Sequence, residues 1–350
     1  MNEERTQTRA RLLRALPKIE LHVHLQGSVQ PQTALELARK NGIELPPCES
    51  PQELYAYDTL DAFLAVYSIL AEAIVETEDF HRITYEMLGS AAGNGARHVE
   101  FFASFCAHPK VPYGRQFDGI RAGMRDALRD YGITSAIIPG INREEGPEAA
   151  ATYLDQILKY RDDDLIGVGL DYFEAPFPPE PFAPVYERAR KAGLRLTAHA
   201  GEAGPASFVE ASLDQLGVER IDHGYNIVDD AALLERCRDS GILFTCCPST
   251  TTYTTPHKDL RAASHPIRRM NEAGLTLCLN SDDPPMFHTD LANEYLRAVE
   301  ELGFSAADIE RTIYNTIDHA WVDDSTRRTW RSEWQPLISE GIEALRQIDG

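Results

Sequence analysis

Residues 165–202 read LIGVGLDYFEAPFPPEPFAPVYERARKAGLRLTAHAGE, and this stretch decides the fold class. It opens and closes on short apolar runs, Leu165–Tyr172 and Leu194–Glu202, and the segment Pro181–Lys191 between them has the pattern of an amphipathic helix. The first run is unbroken by alternation, as expected of a strand buried on both faces of a parallel sheet. The stretch therefore predicts a strand–helix–strand unit with parallel strands.

The same alternation covers the rest of the chain. Further strand-like runs are Ile19–Leu25, Arg97–Ser104, Thr134–Asn142, Arg220–Ile227, Ile242–Ser249 and Leu275–Ser281, and further helical patterns are Leu60–Ile74, Gly114–Tyr131, Glu148–Arg161, Asp230–Ser240 and Ser305–Asp318. Eight strands alternating with helices in 350 residues predict an α/β fold of the (β/α)8 TIM-barrel class. The alternative is an open doubly wound sheet, which would want a Gly-rich phosphate turn after its first strand, and only Gly27 stands there.

We expect residues 1–350 to form one barrel domain with a helical insertion between strands 1 and 2. This insertion, at about residues 28–95, is longer than a simple crossover requires, so we predict that it caps the barrel mouth. The proline-rich segment Ala175–Pro184 has two interpretations, a polyproline ligand for another protein or a stiff loop beside the strand ends. Its place inside the periodic fold favours the loop.

Composition narrows the class of partner. With 34 Lys+Arg against 55 Asp+Glu the net charge is −21, which disfavours nucleic acid and anionic membranes as partners. No apolar run approaches the ~18 residues of a spanning helix, and the first residues lack the apolar core of a secretory signal. Six cysteines without paired spacing indicate reduced thiols and a cytoplasmic protein. Nothing in the sequence fixes an oligomeric state.

Histidines and acids collect where strands end. His22 and His24, in IELHVHLQG, lie two residues apart and would share one face of the first strand. They are either a metal pair or two hydrogen-bonded core histidines. LTAHAGEAG ends strand five with His199 and Glu202, RIDHGYNI places His223 on strand six, and LTLCLNSDDPP ends strand eight with Asp282 and Asp283.

Each of these motifs also has an ordinary structural interpretation, as a turn, a capping acid or a core histidine. Their joint placement favours chemistry, because active sites of TIM barrels are built at the carboxyl ends of the strands. Three imidazole nitrogens and one carboxylate form a suitable set of ligands for one Zn²⁺ with a position left open for water.

These residues resemble a known family. LPKIELHVHLQG, TAHAGEAG, RIDHG and LNSDDP look like the four signature blocks of the adenosine deaminase family of the amidohydrolase superfamily, in the family's order and over about residues 16–320. The resemblance implies a zinc-dependent hydrolytic deaminase of a small-molecule 6-aminopurine, which replaces the exocyclic amine by oxygen and releases ammonia. The substrate stays open between adenine, adenosine and a modified aminopurine compound such as aminodeoxyfutalosine.

The resemblance also implies roles for individual residues. The zinc ligands it implies are His22, His24, His199 and Asp282. Glu202 would pass a proton to the purine ring nitrogen beside the attacked carbon. His223 and Asp283 would position and deprotonate the metal-bound water, and Asp283 would also meet the imidazole side of the purine.

Two positions depart from the nucleoside-specific pattern. Gln26 stands where those members carry an aspartate, and Glu174, in LDYFEAPFPPE, replaces a glycine that meets the purine. We expect both side chains to contact substrate. Phe63 and Tyr67 of the insertion either line the pocket or pack against the barrel, and their helical spacing favours packing.

Two competing functions remain. One is another mononuclear hydrolase of the superfamily, acting on an ester, lactone or cyclic amide. The other is a non-catalytic relative that serves as a binding protein. All seven metal and catalytic positions are filled, which favours the deaminase.

Overall fold

Eight parallel strands form the centre of the molecule in the computed structural model, which describes residues 2–57 and 60–349. The first and last positions of the predicted domain, and positions 58 and 59 of the predicted insertion, lie outside the described residues. The strands are β1 (Lys18–Glu20), β2 (Ala96–Ala103), β3 (Thr134–Asn142), β4 (Gly167–Asp171), β5 (Arg195–Ala200), β6 (Arg220–His223), β7 (Leu243–Cys246) and β8 (Thr276–Leu279). Each strand pairs in parallel with the next along the chain.

The sheet closes on itself where β8 meets β1. Val23 and Asp282, just beyond the two strands, form a parallel bridge. The His24 N–H donates to the Asp282 carbonyl at 2.8 Å, and the Asp282 N–H donates to the His22 carbonyl at 3.1 Å. An open doubly wound sheet would leave its edge strands apart, so the predicted (β/α)8 barrel is confirmed.

All eight predicted runs contain a strand, but most runs extend too far at their carboxyl ends. The prediction for Thr134–Asn142 matches β3, whereas β1 ends at Glu20 and β6 at His223. The residues after those ends remain buried, because they turn into the mouth of the barrel instead of continuing the ladder. Burial keeps the sequence apolar after the pairing has stopped.

Helices surround the barrel. They are α1 (Asn2–Ala15), α2 (Pro31–Asn41), α3 (Leu60–Ala73), α4 (Thr77–Gly93), α5 (Tyr113–Tyr131), α6 (Gly146–Ile157), α7 (Ala183–Lys191), α8 (Ala206–Ala211), α9 (Ala231–Ser240), α10 (Pro248–Thr254), α11 (Pro266–Glu272), α12 (Leu291–Glu300), α13 (Ala306–His319) and α14 (Asp324–Asp349). Within the predicted insertion, α2 and α3 precede α4, and α4 packs along α5 on the outside of the barrel. No helix in the described ranges is long and apolar enough to cross a membrane.

Buried side chains fill the amino-terminal end of the barrel. Arg220, at the start of β6, pairs with Glu100 at 2.7 Å, and both side chains are fully buried. The Arg220 guanidinium lies 3.8 Å from the centre of the Trp321 ring, a cation–π contact. With this end filled, the open space lies at the carboxyl ends of the strands.

Candidate active site

A cavity of about 340 Å³ opens at the carboxyl ends of the strands. That volume is near the lower end of the range of about 300–1,000 Å³ for small-molecule sites. Its lining comprises His24, Phe63, Tyr67, Ser68, Asn142, Glu144, Asp171, Tyr172, Phe173, Glu174, His199, Glu202, Ala203, His223, Thr250, Thr254, Asp282, Asp283 and Phe287. Six acids lie in this lining, and it contains no lysine or arginine among the residues that the structure describes.

Four donor atoms converge at the floor of the cavity, from the segments that follow β1 and β8 and from the end of β5. The Nε2 atom of His22 lies 3.3 Å from that of His24 and 3.1 Å from that of His199. Oδ1 of Asp282 lies 3.4 Å from His22 Nε2 and 3.2 Å from His24 Nε2. A tetrahedral zinc site with bonds of about 2.0–2.1 Å places its ligand atoms about 3.3–3.4 Å apart. The spacing of these four atoms fits such a site.

Hydrogen bonds assign the protons on two of the imidazoles. Thr245 Oγ1 donates to Asp222, so the Nδ1–H of His22, 2.8 Å away, must donate to Thr245. The Nδ1–H of His199 donates to the Leu170 carbonyl at 3.0 Å. Both Nε2 atoms are therefore bare lone pairs that face each other across about 3 Å. Either a proton or a metal ion between them removes that repulsion. Burial lowers the pKa of both imidazoles, which disfavours the proton, so the donor set fits a metal ion.

The charges around the cluster also call for a cation. Burial acts to lower the pKa of His24, but Asp171 and the hydrogen bond with Asp282 outweigh it and raise this pKa to about 10. Despite its burial, the carboxyl of Asp282 has a pKa held well below its ordinary value by the same imidazoles. A buried group of anions that favours an extra proton on histidine favours a divalent ion at the same place.

His223 ends β6 and directs its Nε2 atom toward the cluster. The Tyr225 hydroxyl accepts a hydrogen bond from the Cys247 N–H and donates one to the Cys247 carbonyl, so it accepts the Nδ1–H of His223 at 3.1 Å. In the neutral imidazole Nε2 is then the nitrogen without a proton, and this atom lies 3.8 Å from Asp282 and 3.7 Å from Glu202. The backbone of His223 has φ of +68°, a left-handed conformation that is costly outside glycine and common at functional sites. The geometry suits a base.

Glu202 and Asp283 both line the cavity. The Thr254 hydroxyl, at the end of α10, donates to Oε1 of Glu202 at 2.5 Å. Asp283 packs on Gly27, where a Cβ would lie 1.5 Å from the carboxylate, so only glycine leaves room for it. Burial beside Asp282 raises the pKa of Asp283 well above its ordinary value. Its Oδ1 atom has no hydrogen-bond partner in the described part of the chain.

Gln26 and Glu174 differ from what the sequence led us to expect. Gln26 does not line the cavity, because its amide bonds to the backbone of Ser104 and to His108 Nε2 at 3.0 Å. Glu174 reaches the cavity wall, but both of its carboxylate oxygens accept backbone N–H groups of residues 201–204. The polar atoms of Gln26 have partners inside the protein, and its contact with substrate stays a prediction.

The aromatic residues of the insertion both pack against the barrel and line the cavity, the two roles between which the sequence left a choice. Phe63 of α3 packs in the core against Phe287, with ring centres 5.0 Å apart, and it also lines the cavity with Tyr67. The proline-rich segment leaves β4 beside the cavity mouth, and the buried Arg143 donates to the carbonyl of Phe177 within it.

Sequence reasoning missed two acids. Asp171 ends β4 with its Oδ2 atom 3.5 Å from His24 Nδ1, and Asp222 lies fully buried 3.6 Å from His22 Nδ1. A carboxylate inside an apolar strand run is a usable signal, since a buried charge needs a partner. Thr245, Thr250 and Thr254 carry no comparable signal, because threonine is common in strands and short helices.

A parallel barrel with buried imidazoles and carboxylates at its carboxyl end is the architecture of a metal-dependent hydrolase. The sequence comparison makes the class specific: the family model described as adenosine deaminase matches residues 17–335. The chain belongs to the adenosine deaminase family.

Relatives of the chain carry more particular names. An adenine deaminase of Cupriavidus pinatubonensis is 37% identical over 325 residues, which are 92% of this chain and 92% of the relative. The crystal structure of an adenine deaminase from Arthrobacter aurescens is 32% identical with a TM-score of 0.87, covering 94% of this chain and 100% of that one. An amidohydrolase from Burkholderia ambifaria, solved with bound Zn, is 37% identical with a TM-score of 0.89, covering 97% of this chain and 94% of that one.

Proposed function

We propose that this protein is a zinc-dependent aminohydrolase that converts adenine and water to the 6-oxopurine and ammonia. The observation that carries the proposal is the convergence of four metal-ligand atoms with His223, Glu202 and Asp283 on one cavity. The names of the relatives, and a small cavity with no lysine or arginine among its described lining residues, support adenine over a nucleotide. One catalytic domain over residues 1–350 contains the whole site in this proposal.

One zinc ion per chain would be held by His22, His24, His199 and Asp282. Zinc in such a site supplies a Lewis acid that makes water acidic enough to serve as a nucleophile near neutral pH. His223, with a bare Nε2 and its other nitrogen fixed by Tyr225, takes the proton of the attacking water. Asp283, whose side chain lines the cavity, orients water and the purine.

Glu202 supplies the proton to the purine. As attack at C6 makes that carbon tetrahedral, the adjacent ring nitrogen gains electron density, and the Glu202 carboxyl protonates it. Thr254 holds one Glu202 oxygen, which leaves the other free to face the reacting centre. The exocyclic amine then takes the proton that His223 removed from water and leaves as ammonia. The remaining hydroxyl proton returns to Glu202, and C6 keeps the oxygen of water as its carbonyl oxygen.

The test is ammonia release from a purine panel together with metal analysis. We expect about one zinc per chain, turnover of adenine above adenosine and AMP, and a fall in kcat of about 10²–10⁴-fold for Glu202→Gln with little change in KM. Glu210→Gln, an exposed change on α8, is the matched control and keeps the wild-type rate.

Three outcomes would contradict the proposal. Full activity in protein stripped of metal would show that the reaction does not depend on zinc. Hydrolysis of lactones or esters without any ammonia from aminopurines would assign another superfamily reaction. Purine binding without turnover of any panel member would assign a binding protein.

We further propose that the protein works on small molecules in the cytoplasm and binds neither nucleic acid nor membranes. The six cysteines are free thiols in the structure, which supports a reducing compartment. The net charge of −21 supports the absence of polyanionic partners. Fractionation of cells that express the protein, followed by activity assay of the soluble fraction, tests the assignment.

A further inference from the structure

The carboxylate of Glu174 is surrounded by backbone. The N–H of Gly201 donates to Oε1, and the N–H groups of Glu202, Ala203 and Gly204 donate to Oε2 at 3.0, 2.8 and 2.8 Å. Glu174 is only 3% exposed. Consecutive N–H groups that point at one anion form a nest, and hydrogen bonds to a charged acceptor are about twice as strong as neutral ones. The loop that carries Glu202 is therefore wrapped around Glu174.

The other edge of this loop is held by Asn226, in the turn after β6. Its Nδ2 atom donates to the carbonyls of Glu202 and Gly204 at 3.2 and 2.7 Å, and its N–H donates to the Gly201 carbonyl at 2.7 Å. A Cβ on Gly204 would lie 2.5 Å from Glu174 Oε1, so the contact between loop and carboxylate requires glycine there. Residues 201–204 have no regular secondary structure of their own. Glu174 and Asn226 supply the order that a helix or strand would give.

Glu174 stands on a rigid base. The guanidinium of Arg143, 1% exposed, donates to the carbonyl of Asp171 at 3.3 Å and to that of Phe177 at 3.4 Å, on either side of Glu174 along the chain. Arg143 also donates to the His199 carbonyl at the end of β5. One buried cation thus joins the segment that carries Glu174 to the strand that leads into the Glu202 loop.

We infer that Glu174 is a positioning residue, which fixes the backbone at Glu202 so that this carboxyl meets the purine ring nitrogen, and that it is not a ligand of the substrate. The inference rests on the proposed function, since it takes Glu202 to be the proton donor. The effect of Glu174 is on geometry. If the Glu202 carboxyl is displaced by about 1 Å, it no longer lies in line with the ring nitrogen, and such displacements lower the rate about 10²-fold.

The test replaces the carboxylate by its amide. Glu174→Gln keeps the size of the side chain and one of its oxygens. The other oxygen becomes an NH₂ group, which cannot accept hydrogen bonds from the backbone N–H groups that face it. We expect kcat to fall about 10- to 100-fold, KM to change less than about threefold, and zinc content and cooperative melting to stay as in the wild type. Amide hydrogen exchange of residues 201–204 should accelerate in the variant. Glu210→Gln, exposed on α8, is the matched control.

A double-mutant cycle separates positioning from a general structural role. If Glu174 acts through Glu202, the change Glu174→Gln has little further effect on the residual rate of Glu202→Gln. Additive losses would overturn the inference, as would a rise in KM with kcat unchanged, which is the signature of a substrate ligand.

Two further measurements keep the inference testable. If Glu174→Gln does not fold, Asn226→Ala releases the opposite edge of the same loop and should reproduce the loss in kcat. If the wild-type protein deaminates no aminopurine, the proposed function fails, yet amide exchange in the two variants still decides whether Glu174 orders the loop. Unchanged exchange at residues 201–204 would overturn the inference in either case.

Discussion

At the scale of single residues, Asp222 shows how a buried acid supports the imidazoles that would hold zinc. Its two oxygens accept the hydroxyls of Thr245 at 2.9 Å and Thr197 at 2.6 Å, and they lie 3.6 Å from His22 Nδ1 and 3.9 Å from His199 Nδ1. Burial acts to raise the pKa of Asp222, but the neighbouring imidazoles lower it overall. The ionised carboxylate orients the Thr245 hydroxyl that accepts the His22 Nδ1–H, and its charge favours the proton on Nδ1 of both imidazoles. The Nε2 lone pairs are then left for a cation.

We therefore predict that Asp222→Asn weakens zinc affinity about 10- to 100-fold, because outer partners of metal-binding imidazoles contribute at that level. Competition with a chromophoric chelator measures the affinity. Asp155→Asn, on the exposed face of α6, should leave it unchanged. Wild-type affinity in Asp222→Asn would show that the threonines alone orient the imidazoles.

Glu294, on α12, provides a pH-dependent part of stability. It is fully buried, accepts the Ser249 N–H at 2.8 Å, and burial raises its pKa from an ordinary 4.5 to about 7. The folded state thus keeps a proton that the unfolded chain releases above pH 4.5. The stabilising contribution is complete below pH 4.5 and is lost as pH rises to about 7, by up to about 3 kcal/mol.

Glu294→Gln resembles the protonated form and should lack this dependence. We expect the free energy of unfolding of the wild type, relative to the variant, to fall between pH 4.5 and 7 and then to level off, as measured by urea unfolding at a series of pH values. The exposed change Glu340→Gln should track the wild type. A constant difference across that range would contradict the raised pKa.

A site residue could be predicted from the sequence where function, and not packing, selects its residue type. His22, His199 and Asp283 stand in motifs whose residue types have few other uses together, so the sequence pointed to them. Gln26 and Glu174 have polar side chains suited to substrate or to backbone, and only the fold decides between the two. Their true partners lie far along the chain, at Ser104 and in the 201–204 loop.

At the scale of elements, α4 and α5 pack with their backbones in close contact. A Cβ on Gly119 of α5 would lie 2.2 Å from the Thr77 carbonyl oxygen, and a Cβ on Gly123 would lie 2.6 Å from that of His81. Both obstacles are backbone, which cannot move aside as a side chain can. The two glycines set the distance between the helices.

Gly119→Ala should consequently destabilise the protein by about 1–3 kcal/mol, the usual cost of overpacking. Gly93→Ala is the matched control, because Gly93 is helical with nothing within 4 Å of a Cβ, and alanine there should be neutral or stabilising by up to about 1 kcal/mol. Urea unfolding measures both changes. Equal stability of the two variants would contradict the packing argument.

The elements themselves were predicted better than their ends. The strand runs and the helix Gly114–Tyr131 were located from hydrophobic pattern, because pattern reports burial. Strand ends depend on hydrogen-bonded pairing, which pattern does not report, so Arg220–Ile227 was drawn past the end of β6 at His223. The short helix α10 was missed, since its run of threonines predicts a strand as readily.

At the scale of the whole molecule, negative charge shapes the choice of substrate. The net charge is −21, and the cavity is lined by Glu144, Asp171, Glu174, Glu202, Asp282 and Asp283. Even with a divalent cation at the floor, a phosphate in the cavity meets these acids and no lysine or arginine among the described lining residues. The field that surrounds the cavity repels anions and leaves neutral bases unaffected.

AMP and adenosine form the matched pair for this field, since they differ by one phosphate. We predict that AMP inhibits adenine deamination at least about tenfold more weakly than adenosine at low salt, and that added salt narrows the gap by screening. Steady-state inhibition constants at several ionic strengths measure it. Tighter inhibition by AMP would place a cationic phosphate site in the cavity.

The contact between the first and last strands can form only late in the synthesis of this protein. The first and last strands are joined through the backbone of His22, His24 and Asp282, so this seam also carries three of the four proposed zinc ligands. A nascent polypeptide has exposed two of the imidazoles long before the ribosome reaches the matching carboxylate. The four proposed zinc ligands are therefore complete only after the last strand has been made, and a product lacking that strand would have an unpaired sheet edge and only three of them.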